Sequence, residues 1–318
     1  MNIVVCTDKW YVMPTGVMML SVCQNNPNVE ILFHIIIDNS VTAKDQQDLE
    51  DVISKFIGKD VWFYDAKTYI MNIFFPAGSN RYDITNVTYF RLYLTEILPK
   101  TIDKVLYLDG DVIVRHSLLP LYNTDIENYS IAAVPDMSEG MLEIYNRLKY
   151  PPNFGYFNAG VLLINLKLWR INSALKDFLD YMQYHKDDIV SHDQDVLNVI
   201  FHEKKTNLHL TYNLTNGFLW ENPQFRMSKY EETLHEALKD PVIIHYTVDK
   251  PWHSYQRTPH PFANTWYKYQ DYTIWKGVKC DRRPIKLRLK NYVADILRKR
   301  KLISSISIHK YIEVAPVD

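Results

Sequence analysis

The chain has 318 residues, 47% of them hydrophobic, and a formal net charge of −1. That is enough apolar material for a large α/β core, and the near-zero charge argues against a dedicated nucleic-acid binder. Its three cysteines, Cys6, Cys23 and Cys280, have no metal-ligand spacing and no even-numbered disulfide framework, which suits reduced thiols in a cytoplasmic protein.

The chain opens on a short apolar strand, Ile3 to Cys6, closed by Thr7-Asp8. No basic-then-apolar leader precedes it, and no run approaches the ~20 apolar residues of a membrane span. Helical spacing follows over Thr15 to Gln24, then a strand over Ile31 to Ile37, an amphipathic helix over Ala43 to Phe56 and a strand over Val61 to Tyr64. This β-α-β-α-β opening predicts a mostly parallel sheet with right-handed crossovers. Thr88 to Ile97 reads as a helix. Strands are expected at Lys104 to Leu108, Ile131 to Val134 and Gly160 to Asn165, with Val242 to His245 as the last core strand. Helices are expected over Ser173 to His185 and Asp193 to His202. A catalytic domain over 1–258 and an aromatic, then basic, extension over 259–318 are the expected division.

Polar residues gather where the apolar runs stop: Thr7-Asp8, Asp109-Gly110-Asp111, Asp136, Asn158, Asp193-Gln194 and His245. In a doubly wound sheet such ends share one rim, where ligands bind. Two carboxylates there suit a divalent cation holding a phosphate, although Asp-Gly-Asp by itself is also ordinary turn chemistry. The chain has nine glycines and no Gly-rich phosphate loop of the Walker or dinucleotide type, which counts against P-loop NTPases and nicotinamide enzymes.

In order along the chain stand Asp8 with Tyr11, TYFRL at Thr88 to Leu92, LYLDGDVIV ending at Val114, YFNAGVLLINLKLW at Tyr156 to Trp169, HDQDVLN at His192 to Asn198 and HYTVDKPWH at His245 to His253. This series resembles the family 8 glycosyltransferases, retaining enzymes of the GT-A fold, and especially the bacterial enzymes that add galactose or glucose to lipopolysaccharide or lipooligosaccharide. The resemblance implies a UDP-hexose donor and Mn²⁺, with Mg²⁺ as the alternative, held by Asp109, Asp111 and His245. A nitrogen ligand favours manganese. It further implies that Asp8, Tyr11 and the backbone around Cys6 and Thr7 hold uracil and ribose. Arg91, Gly110, Asn158, Asp193 and Gln194 would surround the donor, with Gln194 beneath the anomeric carbon and Asp193 beside it as catalytic residues. Lys250 would neutralise the departing diphosphate, and Asp136 would lie towards the acceptor. Where Val248 stands the family often has glycine, so backbone contacts to phosphate there are expected to differ.

Blander readings compete: Arg91 on a solvated face, Asp193-Gln194 as a helix cap, Tyr11 packed on a helix start with Trp10 as the stacking ring. Rival functions are a nucleotidyltransferase, for which Thr7 to Tyr11 lacks the usual basic Gly-rich loop, and a non-catalytic sugar-nucleotide or glycan binder, in which an acidic ligand should be missing. Self-glucosylation within the same family has no marked acceptor tyrosine. Between Arg283 and Lys301 the residues Ile285, Leu289, Tyr292, Val293, Ile296 and Leu297 recur at helical spacing among basic residues that continue to Lys310. Such a helix either lies on an anionic membrane, here the inner face of the plasma membrane, or packs its stripe on the catalytic domain.

Overall fold

The computed structural model describes residues 1–70, 85–221, 230–248, 250–254, 260–304 and 308. Asp249 of the HYTVDKPWH motif and Lys310 of the basic tail lie outside the described residues.

The expected β-α-β-α-β opening is present. Strand β1 (Asn2–Thr7) leads into helix α1 (Val12–Asn25), then β2 (Ile31–Ile37), α2 (Ala43–Ile53) and β3 (Lys59–Asp65). A capping box explains why α2 starts where it does: the Thr42 side chain accepts from the Asp45 N–H, and Asp45 reaches back to the Thr42 N–H. Strands β4 (Lys104–Leu108), β5 (Val112–Val114), β6 (Ile131–Pro135), β7 (Phe157–Asn165), β8 (Lys205–Asn207), β9 (Leu214–Thr215) and β10 (Ile243–His245) complete the set.

The seven-stranded main sheet has the order β3-β2-β1-β4-β7-β6-β8. Within it β7 alone runs against its neighbours, antiparallel to both β4 and β6. This reversal matters for the site. The chain leaves β1, β4 and β6 at one rim, at Asp8, Asp109 and Asp136, and β7 enters there, at Asn158. Alternation in β1 sends Ile3 and Val5 to one face, with α1 and α2, and Val4 and Cys6 to the other, with Trp169 and Phe178. Both faces are therefore covered, and the strands read as continuous apolar runs.

Two expected elements gain detail. Val242 to His245, expected as the last core strand, is the buried strand β10, and it lies in a separate three-stranded sheet, β5-β10-β9. Three apolar residues carry no mark of which sheet they join. The Thr88 to Ile97 segment is a 3₁₀ helix over Asn86–Tyr93, followed by a short α-helix over Leu94–Ile97. Over so few residues, periods of 3.0 and 3.6 place nearly the same side chains inward. Phe262 and Trp266, in the expected extension, are fully buried in the same cluster as Ile243 and Tyr246. No helix among the described residues is long and apolar enough to cross a membrane.

His34, on β2, is buried between two polar partners, with Nδ1 2.8 Å from the Tyr64 hydroxyl and Nε2 3.1 Å from Asn2 Oδ1. The amide oxygen only accepts, so Nε2 carries the proton and the ring is neutral. Burial lowers its pKa to about 4. The unfolded chain therefore takes up a proton near pH 6.5 that the folded chain refuses until about pH 4, and stability falls as pH drops through that window. Urea unfolding at pH 7 and pH 5 should show a pH-dependent loss about 2 kcal/mol smaller in His34→Gln than in the parent chain. An equal loss in both would exclude His34 as the source.

Candidate active site

The rim opens into a cavity of about 470 Å³ lined by Cys6, Asp8, Tyr11, Arg91, Asp109, Gly110, Asp111, Asp136, Asn158, Asp193, Gln194, His245 and Lys250. Among the expected site residues, Thr7 does not line it. The Thr7 side chain is buried beneath, where Thr7 Oγ1 accepts from Thr15 Oγ1 at 3.2 Å. Trp10 is also outside, while Tyr11 lines the cavity and meets Trp252 edge-on at 6.3 Å. Asp193 and Gln194 arrive from the first turn of the His192–Phe201 helix, not from a strand end.

Arg91 is buried, which rules out the solvated face. Its Nη2 lies 2.9 Å from Asp109 Oδ1, its Nε 2.9 Å from Asp193 Oδ2, and its Nη1 donates to Ala159 O at 2.5 Å. The guanidinium also sits 4.2 Å from the Tyr107 ring centroid, and the Tyr107 hydroxyl donates to the same Asp109 oxygen at 2.9 Å. Burial alone would lower the Arg91 pKa, but Asp109 and Asp193 raise it further above its ordinary value. Burial pushes Asp193 up to about 6, against the pull of Arg91 and a Thr88 hydroxyl bond. Burial likewise raises the Cys6 thiol to about 12, so Cys6 is a wall residue with no thiolate character.

Asp109, Asp111 and His245 each offer a ligand atom within 4.8 Å of the other two. A chain of amides settles how His245 faces this point. The Gly160 N–H donates to Asn158 Oδ1 at 3.0 Å, and the same oxygen accepts from Asn213 Nδ2 at 2.8 Å. Asn213 Oδ1 therefore faces His245 Nδ1, at 2.9 Å, and Nδ1 carries the proton. Nε2 then faces Asp111 Oδ1 at 3.1 Å. That oxygen is buried and accepts no hydrogen bond among the described residues. Two carboxylates and one imidazole nitrogen turned to a common point suit a divalent metal. Gly160 is required for the fit, since a Cβ there would lie 2.2 Å from His245 Cε1 and 2.8 Å from Asp109 Oδ2.

Lys250 is buried and pairs with Asp111 Oδ2 and Tyr246 O. Burial opposes ionisation of Asp111, but Lys250 and His245 outweigh it and hold the carboxyl well below its usual range. At the other end of the cavity the Asp8 carboxylate accepts from the Trp10 and Tyr11 N–H groups at 2.9 and 3.1 Å, and from Thr85 Oγ1 at 3.0 Å. Gln194 Oε1 accepts from the Ala159 N–H at 3.0 Å and from Asn158 Nδ2 at 3.3 Å. Asp136 Oδ2 accepts from Asn158 Nδ2 at 3.0 Å and Gln194 Nε2 at 3.4 Å, so Asp136 belongs to the Gln194 network. Val248 also lines the cavity, and its N–H donates to Asn216 Oδ1 at 3.4 Å. Sequence reasoning missed Thr88 as a partner of Arg91 and Asp193, and it missed Asn213. A lone amide between Tyr212 and Leu214 was the available signal, because a polar group set among apolar residues needs a buried partner.

A cavity at the strand ends of an α/β sheet, lined by carboxylates and a triad able to hold a divalent cation, is the ligand site of an α/β enzyme. The family model for glycosyl transferase family 8 matches residues 2–256, and the chain belongs to that family. It is a glycosyltransferase, and membership implies a sugar-nucleotide donor and a glycan acceptor. General stress protein A of Bacillus subtilis is 27% identical over 282 residues, covering 87% of this chain and 96% of that protein. Lipopolysaccharide 1,3-galactosyltransferase of Salmonella typhimurium is 28% identical over 266 residues, covering 81% of this chain and 74% of that protein. Among solved structures, the galactosyltransferase LgtC in complex with donor and acceptor sugar analogues superposes with a TM-score of 0.74 at 27% identity, covering 91% of this chain and 100% of that one. The mostly parallel sheet with flanking helices is the same GT-A arrangement.

The role of Asn213 can be measured directly. Asn213→Leu removes the acceptor that fixes the His245 ring, and Mn²⁺ binding followed by calorimetry should weaken about 10- to 100-fold. Unchanged affinity would show that the ring is oriented without it.

Proposed function

We propose that this chain is a retaining, metal-dependent hexosyltransferase that moves glucose or galactose from a UDP-sugar to a hydroxyl of a glycan, such as a lipopolysaccharide, at the cytoplasmic face of a membrane. The observation that carries the reading is that Asp109, Asp111 and His245 share one cavity with Arg91, Asn158, Asp193 and Gln194 in a family 8 chain. The Salmonella relative's name supplies the hexose and lipopolysaccharide part.

Asp109, Asp111 and His245 would hold Mn²⁺, or Mg²⁺ in its place. The ion would neutralise charge that develops on the diphosphate as it leaves. Lys250 is the chain's own cation at the same place, beside Asp111. Asp8 and Tyr11 take the base and ribose, with the Cys6 and Thr7 backbone behind them. Arg91 holds Asp109 and Asp193 in fixed positions, so the metal end and the sugar end of the site are set by one side chain. Asp193 orients the donor sugar, and Gly110 lets the acidic turn lie against α1, since a Cβ there would fall 2.7 Å from Thr15 Oγ1 and 3.3 Å from Tyr11 Cδ1.

Gln194 would face the anomeric carbon. An amide oxygen held by the Ala159 N–H and Asn158 is a weak nucleophile, so a same-face substitution is favoured over a stable glycosyl-enzyme. The bond from anomeric carbon to phosphate oxygen breaks, the acceptor oxygen bonds to the same face, and the acceptor's proton passes to the leaving phosphate oxygen. Asp136, bound to Gln194 and Asn158, steadies that network on the acceptor side.

Release of UDP across a panel of UDP-sugars, with and without Mn²⁺, tests the core of the reading. One UDP-hexose should be consumed only with metal, and Asp111→Asn should lower turnover at least ~100-fold. No metal-dependent binding or turnover of any sugar nucleotide would refute it.

The membrane part rests on the helix Ile285–Lys299. None of its residues is buried, and Ile285, Leu289, Tyr292 and Val293 are exposed among Lys286, Arg288 and Lys290. Anionic vesicles should sediment the parent chain, and Leu289→Glu with Val293→Glu should lose most of that binding while turnover on a soluble acceptor persists. Equal sedimentation would remove the helix from the account.

A further inference from the structure

The segment from Trp275 to Arg283 lies beyond the matched residues 2–256, yet it is built against the cavity at Asp8. Three contacts hold it there. The Trp275 ring fills the space over Gly16 of α1, where a Cβ would lie 2.2 Å from Trp275 Cζ3. The Cys280 N–H donates to Trp252 O at 3.1 Å. Asp281, whose side chain is buried, accepts from the Ser254 N–H at 3.1 Å and from Arg283 Nη2 at 2.7 Å. Pinned on both sides, Arg282 places Nη1 3.4 Å from Asp8 Oδ2, and its guanidinium carbon lies 5.6 Å from the Trp10 ring centroid.

Arg282 is absent from the residues that line the main cavity, whereas Asp8 lines it. Arg282 thus approaches Asp8 from behind, through the small cleft it shares with Trp10, Tyr11 and Trp252. Asp8 Oδ1 is already fixed by the Trp10 and Tyr11 N–H groups, and Oδ2 is fixed by Thr85 and Arg282. A carboxylate oriented in this way only accepts. The Thr85 hydroxyl, itself on the cavity wall, holds the place on Oδ2 that a uracil N3–H would take, whereas the N3 lone pair of cytosine would be repelled there.

We propose that Arg282 is a positioning residue for donor-base recognition: it holds Asp8 from behind, so that the C-terminal segment completes the uridine pocket and sharpens its preference for uracil over cytosine. The proposal rests on the reading that Asp8 contacts the base.

Calorimetric binding of UDP and CDP to the full chain with Mn²⁺, for the parent, Arg282→Met, Arg282→Lys and Asp8→Asn, tests it. Arg282→Met keeps most of the aliphatic stem and removes the charge. It should weaken UDP about fivefold and CDP much less, so the UDP-to-CDP preference falls. KM for the UDP-sugar should rise by a similar factor with kcat within about twofold. Arg282→Lys should recover part of the preference, which also controls for misfolding of the Met variant. Equal weakening of UDP and CDP would reduce Arg282 to a general structural contact and overturn the proposal. An unchanged preference in Arg282→Met, with a lowered one in Asp8→Asn, would overturn the role of Arg282 and leave the Asp8 reading standing. An unchanged preference in Asp8→Asn would overturn both.

Discussion

Five carboxylates, Asp8, Asp109, Asp111, Asp136 and Asp193, converge on one cavity, and like charges brought this close repel strongly where water is scarce. The buried guanidinium of Arg91 makes the crowding tolerable at its centre. It pairs with Asp109 on one side and Asp193 on the other, and it anchors to the carbonyl of Ala159 on β7. A lysine could not do this, because it has no planar fork to serve two acids and a carbonyl together. The backbone supports the same point: Asp109 N–H donates to Gly160 O at 2.8 Å, which fixes the acidic turn to β7.

Charge balance at the remaining acids divides into two kinds. Lys250 takes one oxygen of Asp111, while the other faces His245 Nε2. Among the described residues Asp136 is in no ion pair and is held by amide donors from Asn158 and Gln194, with Ser138 on its second oxygen. The first kind suits a place where a cation binds and charge moves. The second suits a place where geometry must be kept and charge need not change. Amides have fixed donor and acceptor ends, so the run from Gly160 through Asn158 to Asn213 and His245 admits a single orientation of each group.

Much of this was legible from residue order. Strand β4 stops at the expected Leu108 because Asp109 cannot continue an apolar run, and Asp8 and Asp136 follow β1 and β6 for the same reason. The direction of β7 was not legible. An apolar run buried on both faces looks alike in parallel and antiparallel settings, and only the reversal explains why Asn158 starts its strand at a rim where others end. Arg282 carries no local mark, since nothing in the sequence separates an arginine ahead of a basic helix from one reaching a carboxylate 274 positions away. Asn213 carried a weak signal and Thr88 none beyond its motif.

The acidic turn is also a bridge between two sheets. Asp109 ends β4 of the large sheet, Asp111 precedes β5 of the small one, and His245 ends β10 beside it. The small sheet is seated by Tyr246, whose ring meets Trp266 at 5.8 Å and whose hydroxyl donates to Phe262 O at 2.9 Å. The triad's dimensions thus depend on how the two sheets are docked, and not on the turn alone. Tyr246 follows His245 directly, so the hydrophobic layer around Trp266 and the triad share one short stretch of backbone, and a change in that layer would reach the ligands through β10.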